Sequence, residues 1–245
     1  MLDSDTTVLG TGASSGIGAA TAELLAEDGA NVALAARRAE QLVDVAERVE
    51  AAGGDALVVP TDVTEEAQVQ EMVTTTHEAF GSLDVLVNNA GVMLLERVRD
   101  ADTANLRTMV EVNLLGLMNT THAALPIMRE QGFGHVVNVS SVAGRTTSET
   151  AAGYNATKWG VNGFTDALRK EEAEHGVRTT LIEPGAVDTE LQDHIPDEEV
   201  KARIEGWVEQ MEALRPDDIA RGIQYAVSQP RHVDVNELLI RPTGQ

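Results

Sequence analysis

Seven short runs of apolar or β-branched residues recur along this chain, with longer amphipathic stretches between them. The runs are TTVLGT (6–11), NVALAA (31–36), DALVVPT (55–61), LDVLVNN (83–89), HVVNVSS (135–141), VRTTLIEP (177–184) and NELLIRP (236–242). In GIGAATAELLAEDG (16–29), Ala20, Leu24 and Leu25 fall near helical spacing, and Gly29 stands where a helix C-cap belongs. RAEQLVDVAERVEAAGG (38–54) ends in the same way on Gly53 and Gly54. Such alternation predicts parallel βαβ units in an α/β, doubly wound fold: a seven-stranded, mainly parallel sheet with helices on both faces. With no internal repeat and no low-complexity linker, one domain over residues 1–245 is expected, with 190–215 as an insertion in it.

Composition excludes several functions. The chain has no cysteine, so disulfides, thiolate metal sites and cysteine nucleophiles are ruled out. The formal net charge of −22 lacks the basic footprint that phosphate backbones require, which excludes DNA and RNA as partners. The start, MLDSDTTVLG, has neither the positive region nor the apolar run of a secretory signal. The longest uncharged run, VNLLGLMNTTHAALPIM (112–128), is too polar and slightly too short to span a bilayer. A soluble cytoplasmic protein is expected. Its acidic balance would self-repel at low salt and be screened at high salt, as in the cytoplasm of a halophilic archaeon. The six histidines (77, 122, 135, 175, 194 and 232) form no His-Glu-x-x-His pattern; they read as scattered surface residues, and no catalytic metal is expected.

After the first run comes TGASSGIG (11–18), whose Gly12, Gly16 and Gly18 lead into a predicted helix. Glycines let backbone approach a pyrophosphate, and a helix N-terminus offers free N–H groups and a positive dipole end. The spacing G-x-x-x-G-x-G departs from the commoner dinucleotide fingerprint, so position between strand and helix carries the reading. About 20 residues on, where an acid would hold the 2′-hydroxyl of NAD(H), the chain has Ala36, Arg37 and Arg38. Guanidinium groups there accommodate a 2′-phosphate, so NADP(H) is preferred over NAD(H), with Arg37 as the leading contact.

These segments resemble the short-chain dehydrogenase/reductase family, and the likeness covers nearly the whole chain. TGASSGIG matches that family's cofactor loop, which implies Gly12, Ser14, Ser15, Gly16, Ile17 and Gly18 at the cofactor. TDVT (61–64) implies Asp62 and Val63 near the adenine; NNAG (88–91) implies Asn89, Ala90 and Gly91 lining the cofactor and bracing the sheet. PGAVDTE (184–190) resembles the nicotinamide loop and implies Pro184, Gly185, Val187 and Thr189. Asn113, Ser141, Tyr154 and Lys158 match the catalytic four; Ser141, thirteen residues before the tyrosine, fits better than Ser140. The resemblance implies a single Rossmann-type domain, an oxidoreductase activity, and a homotetramer (or homodimer) meeting through AALPIM (123–128) and NATKWGVNGF (155–164).

Hydride transfer to a carbonyl leaves an alkoxide that must be stabilised and protonated. Residues four apart share a helix face, so Tyr154 and Lys158 can enter one cleft. An ammonium there is expected to pull the phenol's pKa down. The resemblance further implies that Lys158 reaches the nicotinamide ribose, Ser141 bonds the substrate oxygen, and Asn113 holds a water that links Lys158 to solvent. LQDHIPDEEVKARIEGWVEQMEALRP (191–216) has partly helical spacing (Val200, Ile204, Trp207, Val208, Met211) and would cover the reacting carbon as a lid. Val92–Leu94 and Val142–Thr147 are the other expected pocket segments.

The activity expected is hydride transfer between NADP(H) and a small alcohol, aldehyde, ketone or hydroxy acid. The alternatives are a 3-oxoacyl-acyl-carrier-protein reductase and a non-catalytic cofactor-binding protein. The end, VNELLIRPTGQ, lacks the glycine-rich close associated with the acyl-carrier-protein enzymes. The phenol–ammonium pair argues against a pure binding module.

Overall fold

The computed structural model describes residues 2 and 4–245. Strands β1 (Thr7–Thr11), β2 (Asn31–Ala36), β3 (Ala56–Pro60), β4 (Val85–Asn88), β5 (Gly134–Val139), β6 (Val177–Pro184) and β7 (Glu237–Ile240) form one sheet. Its order is β3-β2-β1-β4-β5-β6-β7, and every pairing is parallel. Helices α1 (Gly16–Glu27), α2 (Ala39–Ala52), α3 (Glu66–Phe80), α4 (Thr103–Val110), α5 (Leu117–Gln131), α6 (Ala152–Glu172), α7 (Glu198–Gln210) and α8 (Pro216–Val227) supply the crossovers.

The central strands are buried nearly throughout because helices cover both sheet faces. Alternate residues of one strand feed opposite cores: Val8, Val32, Leu34, Val85 and Val87 pack with α1, α2 and α8 side chains such as Leu25, Leu42 and Ile223. Leu9, Ala33, Leu86 and Val136 pack on the other face with Val69, Met72, Met128 and Leu168 of α3, α5 and α6. Gly53, with φ of 109°, ends α2 in the left-handed conformation and donates its N–H to Glu50.

The strand order reverses direction at β1 and β4, and in open parallel sheets a crevice forms at the strand C-termini there. TGASSGIG leaves β1 at this point and NNAG leaves β4. Among the described residues no helix is long and apolar enough to cross a membrane.

One sequence expectation is corrected here. His135 is only 1% exposed, at the start of the central strand β5, and is not a surface residue. The sheet neighbour β6 brings Thr180 to it, with His135 Nε2 2.7 Å from Thr180 Oγ1.

Candidate active site

A cleft of about 550 Å³ opens over the C-terminal ends of β1, β4, β5 and β6. Its floor at one end is the glycine loop. Gly12 has φ of 64°, and a Cβ there would lie 2.9 Å from the Ala90 Cα. A Cβ on Gly18 would come within 2.3 Å of the Gly12 carbonyl oxygen. Only glycine lets these backbones approach so closely. Thr11 and Asn89 lock the two strand ends: the N–H groups of Asn89 and Ala90 donate to Thr11 Oγ1, and Asn89 Nδ2 donates to the Thr11 and Gly12 carbonyls. Ser15 stands at the α1 N-cap without a side-chain cap bond, and the first turn carries no acid. The first N–H groups of this twelve-residue helix therefore open on the cleft without a side-chain cap.

Gly12, Ser14, Ser15, Gly16, Ile17, Arg37, Arg38, Val63, Asn89, Ala90 and Gly91 line this end. Asp62 does not: its carboxylate is turned to the Thr64 N–H and hydroxyl. Gly18 lies beneath the loop. The two arginines differ. Arg38 donates to Ser14 Oγ and Ser15 Oγ and pairs with Glu190 at 2.9 Å, across the cleft mouth. That guanidinium, with the Ser15 hydroxyl, holds the Glu190 carboxyl below the usual carboxylate range. Arg37 lines the same rim and makes no hydrogen bond or ion pair within the described residues.

At the other end, Tyr154 and Lys158 project from one face of α6 and are 7% and 5% exposed. Lys158 Nζ lies 5.7 Å from the Tyr154 ring centre and donates to the Val139 carbonyl at 2.9 Å. Ser141, just after β5, lines the cleft with Tyr154, and its hydroxyl accepts from the Ala143 N–H. Ser140 instead donates to Asn162 Oδ1 at 2.6 Å. The expected lowering of the phenol's pKa is not what this geometry gives. Burial pushes Tyr154 up to about 12, with the nearby Ser141 hydroxyl opposing it, and pushes Lys158 down to about 8. Desolvation dominates because both groups are enclosed together.

Asn113 sits in a π-helical turn, Glu111–Gly116, between α4 and α5. Its side chain accepts from the Val92 N–H, donates to the Val92 carbonyl, and donates to Thr157 Oγ1. It does not line the cleft, and it ties the segment after β4 to α6. The π turn, a feature often found at functional sites, had no sequence signal.

Pro184, Gly185, Val187 and Thr189 line the cleft after β6. Gln245, remote in sequence and unforeseen, braces this loop by accepting the Ala186 N–H at 3.0 Å. Beyond it a 3-10 turn (Glu190–His194) leads to α7, whose Ile204, Trp207 and Val208 line the cleft. Val92, Met93, Val142, Ala143, Thr146 and Thr147 also line it, whereas Leu94, Gly144 and Arg145 do not; Leu95, Ser148 and Ala151 do so unpredicted. Thr150 is held at φ of 69°, unusual for a β-branched residue, with its hydroxyl accepting from Arg203 of α7. Among the described residues no group of three or more potential ligands is placed to hold a metal ion.

The sequence profile of the short chain dehydrogenase family matches residues 6–200. An uncharacterized oxidoreductase of Staphylococcus saprophyticus is 42% identical over 244 residues, which cover 98% of this chain and 97% of that protein. The structure of an alcohol dehydrogenase from the archaeon Thermococcus sibiricus, complexed with 5-hydroxy-NADP, is 32% identical. It aligns with a TM-score of 0.87 over 98% of this chain and 97% of its own. The closed form of a serine dehydrogenase complexed with NADP+ is 31% identical, with a TM-score of 0.90 over 98% of this chain and 96% of its own.

Proposed function

The chain belongs to the short-chain dehydrogenase family, and on that premise we propose that it is an NADP(H)-dependent oxidoreductase of small alcohols and carbonyl compounds. The observation that carries the reading is the placement of Ser141, Tyr154 and Lys158 together at one end of a cleft whose other end is the glycine loop.

The cleft fits a dinucleotide phosphate. Close backbone at Gly12 and Gly18 leaves room for a pyrophosphate, and the uncapped start of α1 offers it N–H groups. Arg37, unpaired on the rim, and Arg38 with Ser14 and Ser15 would hold a 2′-phosphate. Both solved structures named above were complexed with NADP-type cofactors, which supports the same choice here. Pro184, Gly185, Val187 and Thr189 would border the nicotinamide, and Lys158 its ribose. When bound, the reduced cofactor supplies a hydride to the carbonyl carbon.

The remaining chemistry belongs to the chain. Ser141 and Tyr154 converge on the carbonyl oxygen and orient it. A phenol held near 12 stays protonated at neutral pH and is still a far stronger acid than an alcohol, so Tyr154 can protonate the developing alkoxide. The Lys158 ammonium, held by the Val139 carbonyl, stabilises the phenolate left behind. Asn113 acts as a positioning residue, fixing Val92 against α6. The segment 190–215 is proposed as the substrate loop, closing over the reacting carbon with α7.

A panel of small ketones, aldehydes and alcohols, followed by the absorbance of NADPH, tests the reading. Tyr154→Phe should cost at least about 100-fold in kcat, the lower end of a general acid's contribution, while NADPH binding stays intact. Full turnover in that variant would refute the mechanism. We further propose association into a tetramer or dimer, which the exposed apolar side chains Trp159, Leu115 and Val110 support. Trp159→Glu should then lower the mass measured by light scattering, and an unchanged mass would count against that interface. The charge of −22 supports a salty working medium; equal melting temperatures in dilute buffer and molar KCl would argue against it.

A further inference from the structure

We infer that the reacting end of the cleft selects neutral, mainly apolar carbonyl compounds and rejects substrates that carry a carboxylate beside the reacting carbon. The inference rests on Tyr154 being the proton donor. Around Tyr154 the packing is hydrocarbon: Leu95, Met109, Ala151, Ile195 and Val200 form one buried cluster with it. Met93 and Ile204 pack against that cluster, and both line the cleft with Leu95 and Ala151. The polar side chains in the lining near it, which include Thr146, Thr147, Ser148, Asn155 and Gln192, are neutral.

The cations that could meet a substrate anion are engaged elsewhere. Arg145 follows the Ser141 turn and is the best placed in sequence, yet it is turned to Glu183 and Glu237 and does not line the cleft. On α7, Arg203 donates to Thr150 Oγ1 and Lys201 to the Asp193 carbonyl. Arg37 and Arg38 belong to the glycine-loop end. Lys158 is bound to the Val139 carbonyl behind Tyr154. His194 lines the lid side and carries an imidazole, not a guanidinium. A carboxylate delivered beside Tyr154 would lose its hydration and find no guanidinium in exchange, which strongly disfavours its binding. The chain's overall negative charge adds repulsion. Apolar surface, by contrast, gains from contact with Leu95, Ile204 and Trp207.

Acetoacetate and its ethyl ester present the same ketone with and without the charge. Titrated by calorimetry into the protein loaded with NADP+, which has no hydride to give, the ester should bind and the acid should bind at least about 100-fold more weakly. Their kcat/KM values should differ in the same direction. Ile204→Arg, which places a guanidinium at the apolar wall, should narrow or invert the difference. Acid binding as tight as the ester, or neither compound binding, overturns the inference. If the ester binds selectively but neither compound is reduced, the polarity of the pocket stands and the reductase reading fails.

Discussion

Lys158 Nζ lies 5.7 Å from the centre of the Tyr154 ring, with its proton donated to the Val139 carbonyl. The two groups therefore share one buried environment, and burial acts on them in opposite senses. It raises the phenol to about 12 and lowers the ammonium to about 8. Ultraviolet difference titration of the cofactor-free protein against Tyr154→Phe should place this phenol's ionisation near 12. A transition near neutrality would show that the ammonium outweighs desolvation after all. In turnover, the protonated phenol persists across neutral pH. Loss of carbonyl reduction as pH rises through about 8 should then report the deprotonation of Lys158.

Arg37 and Arg38 are adjacent in sequence but not equivalent. Arg38 is tied to Ser14, Ser15 and Glu190, while Arg37 has no such partner on the cleft rim. Arg37→Asp should therefore cost little stability, and it should reverse the preference to NADH by placing an acid where a 2′-hydroxyl would sit. The ratio of kcat/KM for the two cofactors measures this, and an unchanged ratio would refute the assignment. Arg38→Ala should weaken both cofactors, because it also releases the glycine-loop serines. Its loss of the half-exposed Glu190 pair alone is worth only about 0–1 kcal/mol.

Glu183 is fully buried on β6, where its carboxylate accepts from Arg145 at 2.6 Å and from Asn162 at 2.8 Å. Asn162 also receives the Ser140 hydroxyl and donates to the Gly144 carbonyl. One carboxylate thus joins the Ser141 turn, the helix of Tyr154 and Lys158, and the start of the Pro184 loop. Glu183→Ala should destabilise the fold by about 1–3 kcal/mol, the cost of unsatisfied buried partners. The half-exposed Arg145 keeps Glu237, which holds the cost below that of a stranded charge. Glu183→Gln preserves the bond to Asn162 and should recover most of the stability. Denaturant melts separate the two, and equal losses would show that charge rather than connection is what matters.

The strands were legible to within one or two residues because short apolar or β-branched runs stand apart from the longer amphipathic stretches between them. NVALAA and VRTTLIEP coincide with β2 and β6. The site was legible where one short segment carries it, as in TGASSGIG or Tyr154 to Lys158. It was illegible where contacts join distant segments. Nothing near Gln245 announces that it accepts the Ala186 N–H 59 positions away. The ionisation of Tyr154 was misread because spacing reveals the lysine beside it but not the depth at which both are buried. Asn113 was found as a residue, but its π turn depends on backbone packing that no side-chain pattern encodes.

His135 offers the last test, since its burial was the clearest departure from expectation. The Thr180 hydroxyl donates to the Val235 carbonyl at 2.6 Å, so its oxygen must accept from His135 Nε2–H. Nδ1 is then the bare nitrogen, buried without a partner. Burial, with the Arg178 charge adding to it, lowers the imidazole to about 3 from an ordinary 6.5. The folded chain therefore refuses a proton that the unfolded chain takes up. Stability is complete above about pH 6.5 and declines as pH falls toward 3, by about 2 kcal/mol at pH 5 from this residue alone. His135→Val suits a central strand and leaves the Thr180–Val235 bond in place. It should flatten the pH dependence of the unfolding free energy between about pH 4 and 6.5, even if the smaller side chain costs about 1 kcal/mol at neutrality. An undiminished acid slope in this variant would assign the acid sensitivity to other groups.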